Sequence, residues 1–147
     1  MRTAVVFIAL MSAAVAVSSC GSKSGSAGET QNQPAVKSEV SIPQITSQSM
    51  DDFLSRGGYV FLEFGGKSCV PCKEMQPILR RLQSEHADVR VGIIYNEDSP
   101  ELLERWSIQL IPTQIVLGPD KKEITRHVGL WEYDEIMLEL RGKGVVR

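Results

Sequence analysis

The apolar residues of this chain follow two rhythms that alternate from residue 46 onward. Met50, Phe53 and Leu54 fall at helical spacing within residues 46–55, and Gly57-Gly58 closes that stretch. Tyr59 to Phe64 is a dense apolar run broken only by Glu63. Its length, aromatics and flanking glycines predict a buried strand. Met75, Ile78, Leu79 and Leu82 recur at i, i+3, i+4 and i+7, one face of a helix that runs to about His86. Pro77 sits inside that pattern and is expected to kink it. Val89 to Tyr95 predicts a second buried strand, and Asn96 to Ser99 a turn. Pro100 suits the first turn of a helix carrying Leu102, Leu103 and Trp106. Thr113–Leu117 and Glu123–Val128 predict two strands joined by the tight turn Gly118-Pro119-Asp120-Lys121, hence a hairpin. Gly129 breaks the second of them. Tyr133, Ile136, Met137 and Leu140 then mark a last helix. The order α-β-α-β-α-β-β-α describes an α/β fold: a βαβ half and a ββα half sharing a mixed central sheet, with helices on both faces.

Upstream the pattern is of another kind. Met1-Arg2-Thr3 is a short positive start, and Ala4 to Val17 is an apolar, small-residue run of signal-peptide length. It is shorter than the roughly 20 apolar residues a bilayer-spanning helix needs. From Gly21 to about Ser41 the chain is Ser, Gly, Gln, Lys and Glu with almost nothing apolar, so it cannot bury enough surface to fold. A tether of that kind has a typical span of ~25 Å and a stretched limit of ~70 Å. Three segments are expected: a leader over 1–19, Cys20 with its tether over 20–41, and a folded domain over 42–147.

Composition narrows the function. A chain of 147 residues with a 42% hydrophobic share holds one packed domain plus a tail. The formal charge is −2, and the basic pairs Arg80-Arg81 and Lys121-Lys122 suit helix faces and turns rather than a phosphate track. Nucleic acid is therefore not an expected partner. His86 and His127 are the only histidines and read as surface or strand-edge residues. Three cysteines is an odd count, and in an exported protein the odd one needs an explanation.

Two of the three, Cys69 and Cys72, lie between the first predicted strand and the second predicted helix. Cys-x-x-Cys at a strand-to-helix switch is the signature of a redox site. The nucleophile in disulfide exchange is a thiolate. A helix N-terminus at Cys69 favours negative charge, and Lys67 and Lys73 add positive potential if they turn toward it. Cys69 is thus expected to attack a substrate disulfide, and Cys72, one turn inward, to resolve the mixed disulfide. Glu63, on a buried strand, is the candidate acceptor for the Cys72 proton, since desolvation raises a carboxyl toward the range of a general base.

Cys69-Val70-Pro71-Cys72-Lys73 resembles the active-site motif of the thioredoxin family. Several spaced features extend the resemblance over residues 48–141. Pro77 sits where that family kinks its helix, and Glu63 takes the place of its buried acid. The segment Ile108-Gln109-Leu110-Ile111-Pro112-Thr113 is similar to the one that leads into a cis-proline, here Pro112. Gly129 matches a glycine lining the substrate groove. The resemblance implies a thioredoxin-like fold, thiol-disulfide oxidoreductase activity without a cofactor, and a redox-active Cys69–Cys72 disulfide. It also implies peptide contacts at Pro112, Ile111 and Gly129. Trp131 reads either as a recognition residue beside that groove or as a half-buried aromatic at a helix start. The sequence departs from the family at Ser68 and Gly65, where tryptophans are usual, and at Glu63, where aspartate is. These departures touch substrate preference and redox potential more than reaction class.

Val17-Ser18-Ser19-Cys20 resembles the bacterial lipobox, which implies cleavage before Cys20 and its lipidation. Several acyl chains at roughly 0.8 kcal/mol per buried methylene would hold the chain to a bilayer. Lipidation would also account for the odd cysteine. The expected picture is a monomer on the periplasmic or extracytoplasmic side of a bacterial membrane. It would draw electrons from a membrane thiol transporter and reduce disulfides of exported proteins. Val70-Pro71 also resembles anchored thioredoxins serving cytochrome c maturation. An oxidase or isomerase running on the same pair is the alternative direction. A copper- or zinc-binding lipoprotein is the rival of another class, although zinc usually wants four ligands and no metal ligand set is expected.

Overall fold

The computed structural model describes residues 40–147. The expected leader, Cys20 and all but the last two residues of the expected tether lie outside the described residues. The elements are α1 (Ser47–Ser55), β1 (Tyr59–Gly65), α2 (Val70–Glu85), β2 (Val89–Tyr95), α3 (Pro100–Arg105), β3 (Thr113–Leu117), β4 (Glu123–Val128) and α4 (Tyr133–Gly142). The order is the one the hydrophobic pattern predicts. Helix α2 runs through Pro77 without interruption.

Among the described residues the strands form one sheet in the order β2-β1-β3-β4. β1 runs parallel to β2 and antiparallel to β3, and β3 pairs antiparallel with β4 across a register shift at Val116/Leu117. A βα crossover thus links the parallel pair, and a hairpin completes the other edge. β1 is internal and six of its seven residues are buried.

Side chains alternate across a strand, so each strand feeds both faces of the sheet. Phe61, Val91 and Val116 pack with Met75, Leu79 and Leu82 of α2 and with Ile136 and Leu140 of α4. Val60, Leu62, Phe64, Ile94, Ile115 and Leu117 pack instead with Met50, Phe53 and Leu54 of α1 and Leu102 of α3. Each helix covers the sheet with the face its apolar spacing marks.

The β2 edge is closed by two devices. Ile93 donates to Pro43 O (3.0 Å) and accepts from Ile45 N (2.7 Å), so residues 43–45 act as a fragment of strand. Beyond that fragment the Gln83 amide takes over. Its Oε1 accepts from Val91 N (2.8 Å) and its Nε2 donates to Val89 O (3.2 Å). An edge with unpaired ladder groups invites pairing with another chain, and a side-chain amide removes that opportunity.

Candidate active site

The C-terminal end of β1 delivers the chain into the loop Gly66–Ser68 and then into α2. Cys69 is the N-cap of α2, with extended backbone, and its Sγ accepts the Cys72 N–H at 3.2 Å. Pro71 sits in the first turn, where a missing N–H costs nothing. Cys69 and Cys72 are joined as a disulfide. Their environments differ. Cys69 is partly exposed, whereas Cys72 is 3% exposed, one turn into the helix. A sulfur at the N-cap faces unpaired backbone N–H groups and the positive end of the helix dipole. The contact from Cys72 N is one such interaction.

Lys67 does not supplement it as expected. Lys67 Nζ turns away to Asp98 Oδ1 at 2.7 Å, on the loop after β2. That hydrogen bond raises the Lys67 pKa and lowers that of Asp98. The same loop holds the backbone: Glu97 accepts from Lys67 N through both carboxylate oxygens (3.0 and 3.2 Å), and Asn96 N donates to Gly65 O (3.0 Å). Lys67 therefore pins the loop that carries Cys69 rather than charging the thiol. Lys73 is exposed.

Glu63 is 1% exposed on an internal strand. Burial pushes its carboxyl from an ordinary 4.5 up to about 8. Its Oε2 has no hydrogen-bond partner. A Cβ placed on Gly65 would stand 3.4 Å from Glu63 Oε1 and 3.4 Å from Cys72 Sγ, and 3.3 Å from Cys72 Cβ. The carboxyl and the inner sulfur thus border the same small space, which stays open because residue 65 has no side chain. Nothing in the sequence pattern marked that role for Gly65.

Pro112 follows a cis peptide bond from Ile111. Its place beside the cysteine loop follows from β1–β3 pairing, which puts Thr113 opposite Phe64, one residue short of Gly65. Ile111 Cδ1 lies 3.0 Å from where a Gly66 Cβ would be, so Ile111 rests against that loop. Thr113 Oγ1 donates to Leu110 O (2.7 Å) and fixes the approach. Gly129 N donates to Pro112 O (2.8 Å), which ties the end of β4 to the same spot. Gly129 has φ +102°, in the region that favours glycine, and open space around it. Conformation, not crowding, requires glycine there.

Trp131 is elsewhere. It is 5% exposed, packs against Phe61 and stacks on His127 (ring centroids 4.6 Å). It is thus buried more deeply than a half-buried aromatic at a helix start would be, and its ring faces the core rather than solvent. The turn at Gly129 leaves Leu130 outward, at 36% exposure, and sends the next side chain in. Three apolar residues that carry no periodic signal are exposed near the cysteines and Pro112. Val70 follows Cys69, Leu110 lies in the cis-proline loop and Val128 precedes Gly129; they are 65%, 66% and 53% exposed. Among the described residues, no group of three or more His, Cys, Asp or Glu side chains is arranged to hold a metal ion.

Known proteins agree with this geometry. The profile of the Thioredoxin family matches residues 41–141. Thioredoxin of Chlamydia caviae is 31% identical over 96 residues, covering 65% of this chain and 92% of that protein. Thioredoxin of Chlamydia trachomatis serovar D is 33% identical over 94 residues, covering 64% and 91%. Among solved structures, chloroplastic thioredoxin z superposes with a TM-score of 0.65 at 22% identity, over 73% of this chain and 97% of that one, a likeness of fold. With a family match over most of its length and the cysteine pair at the head of α2, the chain belongs to the thioredoxin family and is a thiol-disulfide oxidoreductase.

Proposed function

We propose that this oxidoreductase is a reductase of disulfides in exported proteins, held at a bacterial membrane by lipid on Cys20. Cys69 attacks the substrate disulfide and carries the mixed disulfide. Cys72 gives its proton to Glu63, attacks Cys69 Sγ and releases the reduced substrate thiol. The observation that carries this division is the shared space at Gly65, where Cys72 Sγ and Glu63 Oε1 each come within 3.4 Å of one point. A base beside the inner sulfur serves the step that frees a reduced substrate. With burial holding the carboxyl near 8, it can exchange a proton with a thiol at neutral pH.

The backbone beside Pro112 offers strand-like contact to an extended segment of substrate, with Ile111 and Gly129 at its margins. Val70, Leu110 and Val128, exposed on the segments next to Cys69, Pro112 and Gly129, offer it apolar surface. A membrane thiol transporter would reload the pair with electrons. Apocytochrome thiols are the exported substrate to which Val70-Pro71 points. The anchor rests on Val17-Ser18-Ser19-Cys20, outside the described residues.

The direction is tested by equilibrating the full chain, recovered from membranes, against glutathione. A reductase is expected to poise near −270 mV; a value near −120 mV would make the chain an oxidant and overturn the proposal. In the same preparation a Cys20→Ala chain should leave the membrane fraction. Retention there would remove the lipid anchor from the proposal.

A further inference from the structure

The register of β1 and β3 sets Glu63 directly opposite Gln114. Residues so placed on an antiparallel pair share a face, with Cβ atoms about 4.5–5.5 Å apart. Gln114 is fully buried, at 0% exposure. Neither its Oε1 nor its Nε2 has a hydrogen-bond partner, and neither has Glu63 Oε2. Buried unpaired polar atoms are few in native proteins and each calls for a reason. Here three of them belong to one cross-strand pair, next to the redox disulfide. Gln114 is flanked along β3 by Thr113 and Ile115, and the next residue on its own face is Val116, so an apolar side chain would suit the strand.

We propose that Gln114 is a positioning residue for Glu63, steering its carboxyl toward Cys72 and supporting whichever protonation state the exchange requires. The inference rests on Glu63 as the acceptor of the Cys72 proton. In that step the Glu63 carboxylate takes the proton from Cys72 Sγ, leaving a carboxylic acid and a thiolate. The thiolate attacks Cys69 Sγ, forming the Cys69–Cys72 bond. The Cys69–substrate bond breaks, and its electron pair leaves with the substrate sulfur, which takes a proton from water. Glu63 later returns its own proton to water. An amide can meet both forms of the carboxyl: Nε2–H donates to the carboxylate, and Oε1 accepts from the acid. An apolar residue can meet neither.

Few other groups compete for this role. From β2 the residue opposite Glu63 is Ile93, with the Tyr95 phenol two residues along the strand. From α2 the buried residues nearest the site are Cys72 and Met75. From β4 the residue opposite Gln114 is His127, which stacks on Trp131 and meets Leu130 O through Nε2 at 3.2 Å. His127 is a titratable neighbour on the far side of Gln114, and it serves as the control.

The test follows the Glu63 carboxyl by carbon NMR, and single-turnover resolution of a mixed disulfide, over pH 6–9. Gln114→Met keeps length and apolar fit but removes the amide. The expected result is an upward move of the Glu63 midpoint by about one pH unit and a roughly tenfold slower resolution at pH 7. In the unmodified chain the Gln114 side-chain N–H signals should move with the same midpoint, a readout that depends on no variant. N–H signals that stay flat through the Glu63 titration, or a midpoint that follows His127→Asn instead of Gln114→Met, would overturn the assignment. Glu63→Gln tells the two failures apart. If it abolishes the pH step while Gln114→Met leaves that step in place, only Gln114 is wrongly assigned. If the step survives Glu63→Gln, the acceptor itself is.

Discussion

The two faces of the sheet are built from the same strands and do different work. On the α1 and α3 face the buried strand residues run apolar from Val60, Leu62 and Phe64 to Ile115 and Leu117, and the one polar side chain among them, Thr113, has its hydroxyl bonded to Leu110 O. On the α2 and α4 face the apolar series of Phe61, Val91 and Val116 gives way, toward the active-site end, to Glu63 and Gln114. Glycines separate the faces as sharply. Gly92 is crowded: a Cβ there would meet Ile45 Cγ1 at 2.7 Å and Phe53 at 3.2 Å. Gly65, at the C-terminal end of the neighbouring strand, keeps room between a carboxyl and a sulfur. One face contributes stability with no chemistry in it. The other accepts buried polar groups that lower stability, confined to the end where α2 begins.

The sharpest way to break this contrast is pH. Glu63 has a folded-state pKa of about 8 against an ordinary 4.5. A raised acid leaves the fold most stable below about pH 4.5, where both states hold the proton. Stability then falls as pH rises, and the loss is complete above about pH 8. At 1.36 kcal/mol per pH unit the full swing is at most about 5 kcal/mol. Denaturant unfolding of the oxidised chain should show this decline, and Glu63→Gln should flatten it. A parallel decline in both chains would mean that Glu63 is not the buried acid responsible.

The opposite face should answer to packing alone. Leu62→Ala, adjacent to Glu63 in sequence but on the other side of the sheet, should cost about 2–5 kcal/mol. That loss should be the same at pH 5 and pH 8, and the redox potential should stay within a few millivolts. A potential that moved with Leu62 would show the two faces to be coupled.

The smallest effect is expected at Gly92. An added methyl forces Ile45 and Phe53 aside, a cost of about 1–3 kcal/mol, without touching the cysteines. Hydrogen exchange should localise the loosening to α1 and to the Ile45–Ile93 bridge. Loosening at Cys69 instead would contradict the separation.

Much of this was legible in residue order. Dense apolar runs, turn residues and i, i+3, i+4 spacings mark all eight elements, because burial is a local demand repeated along the chain. Cys69 and Cys72 were found the same way, since the chemistry needs both thiols within one helical turn. Residues that matter through neighbours distant in sequence were harder to read. Lys67 looked like a charge for the thiol until Asp98, 31 residues away, took its ammonium. Trp131 could be read two ways until the fold showed its ring packed against Phe61. Gln114 carried no signal at all, because a lone glutamine in a strand is unremarkable until its opposite number is known.

The sequence by itself determined the class of fold, the order of its elements and the thiol pair, because periodicity and short-range spacing are written in consecutive residues. Only the tertiary structure decided which carboxyl shares space with which sulfur, where the lysine spends its charge, and that Glu63 and Gln114 stand face to face. Those relations depend on strand register and loop contact, and register joins residues that the chain itself keeps fifty apart.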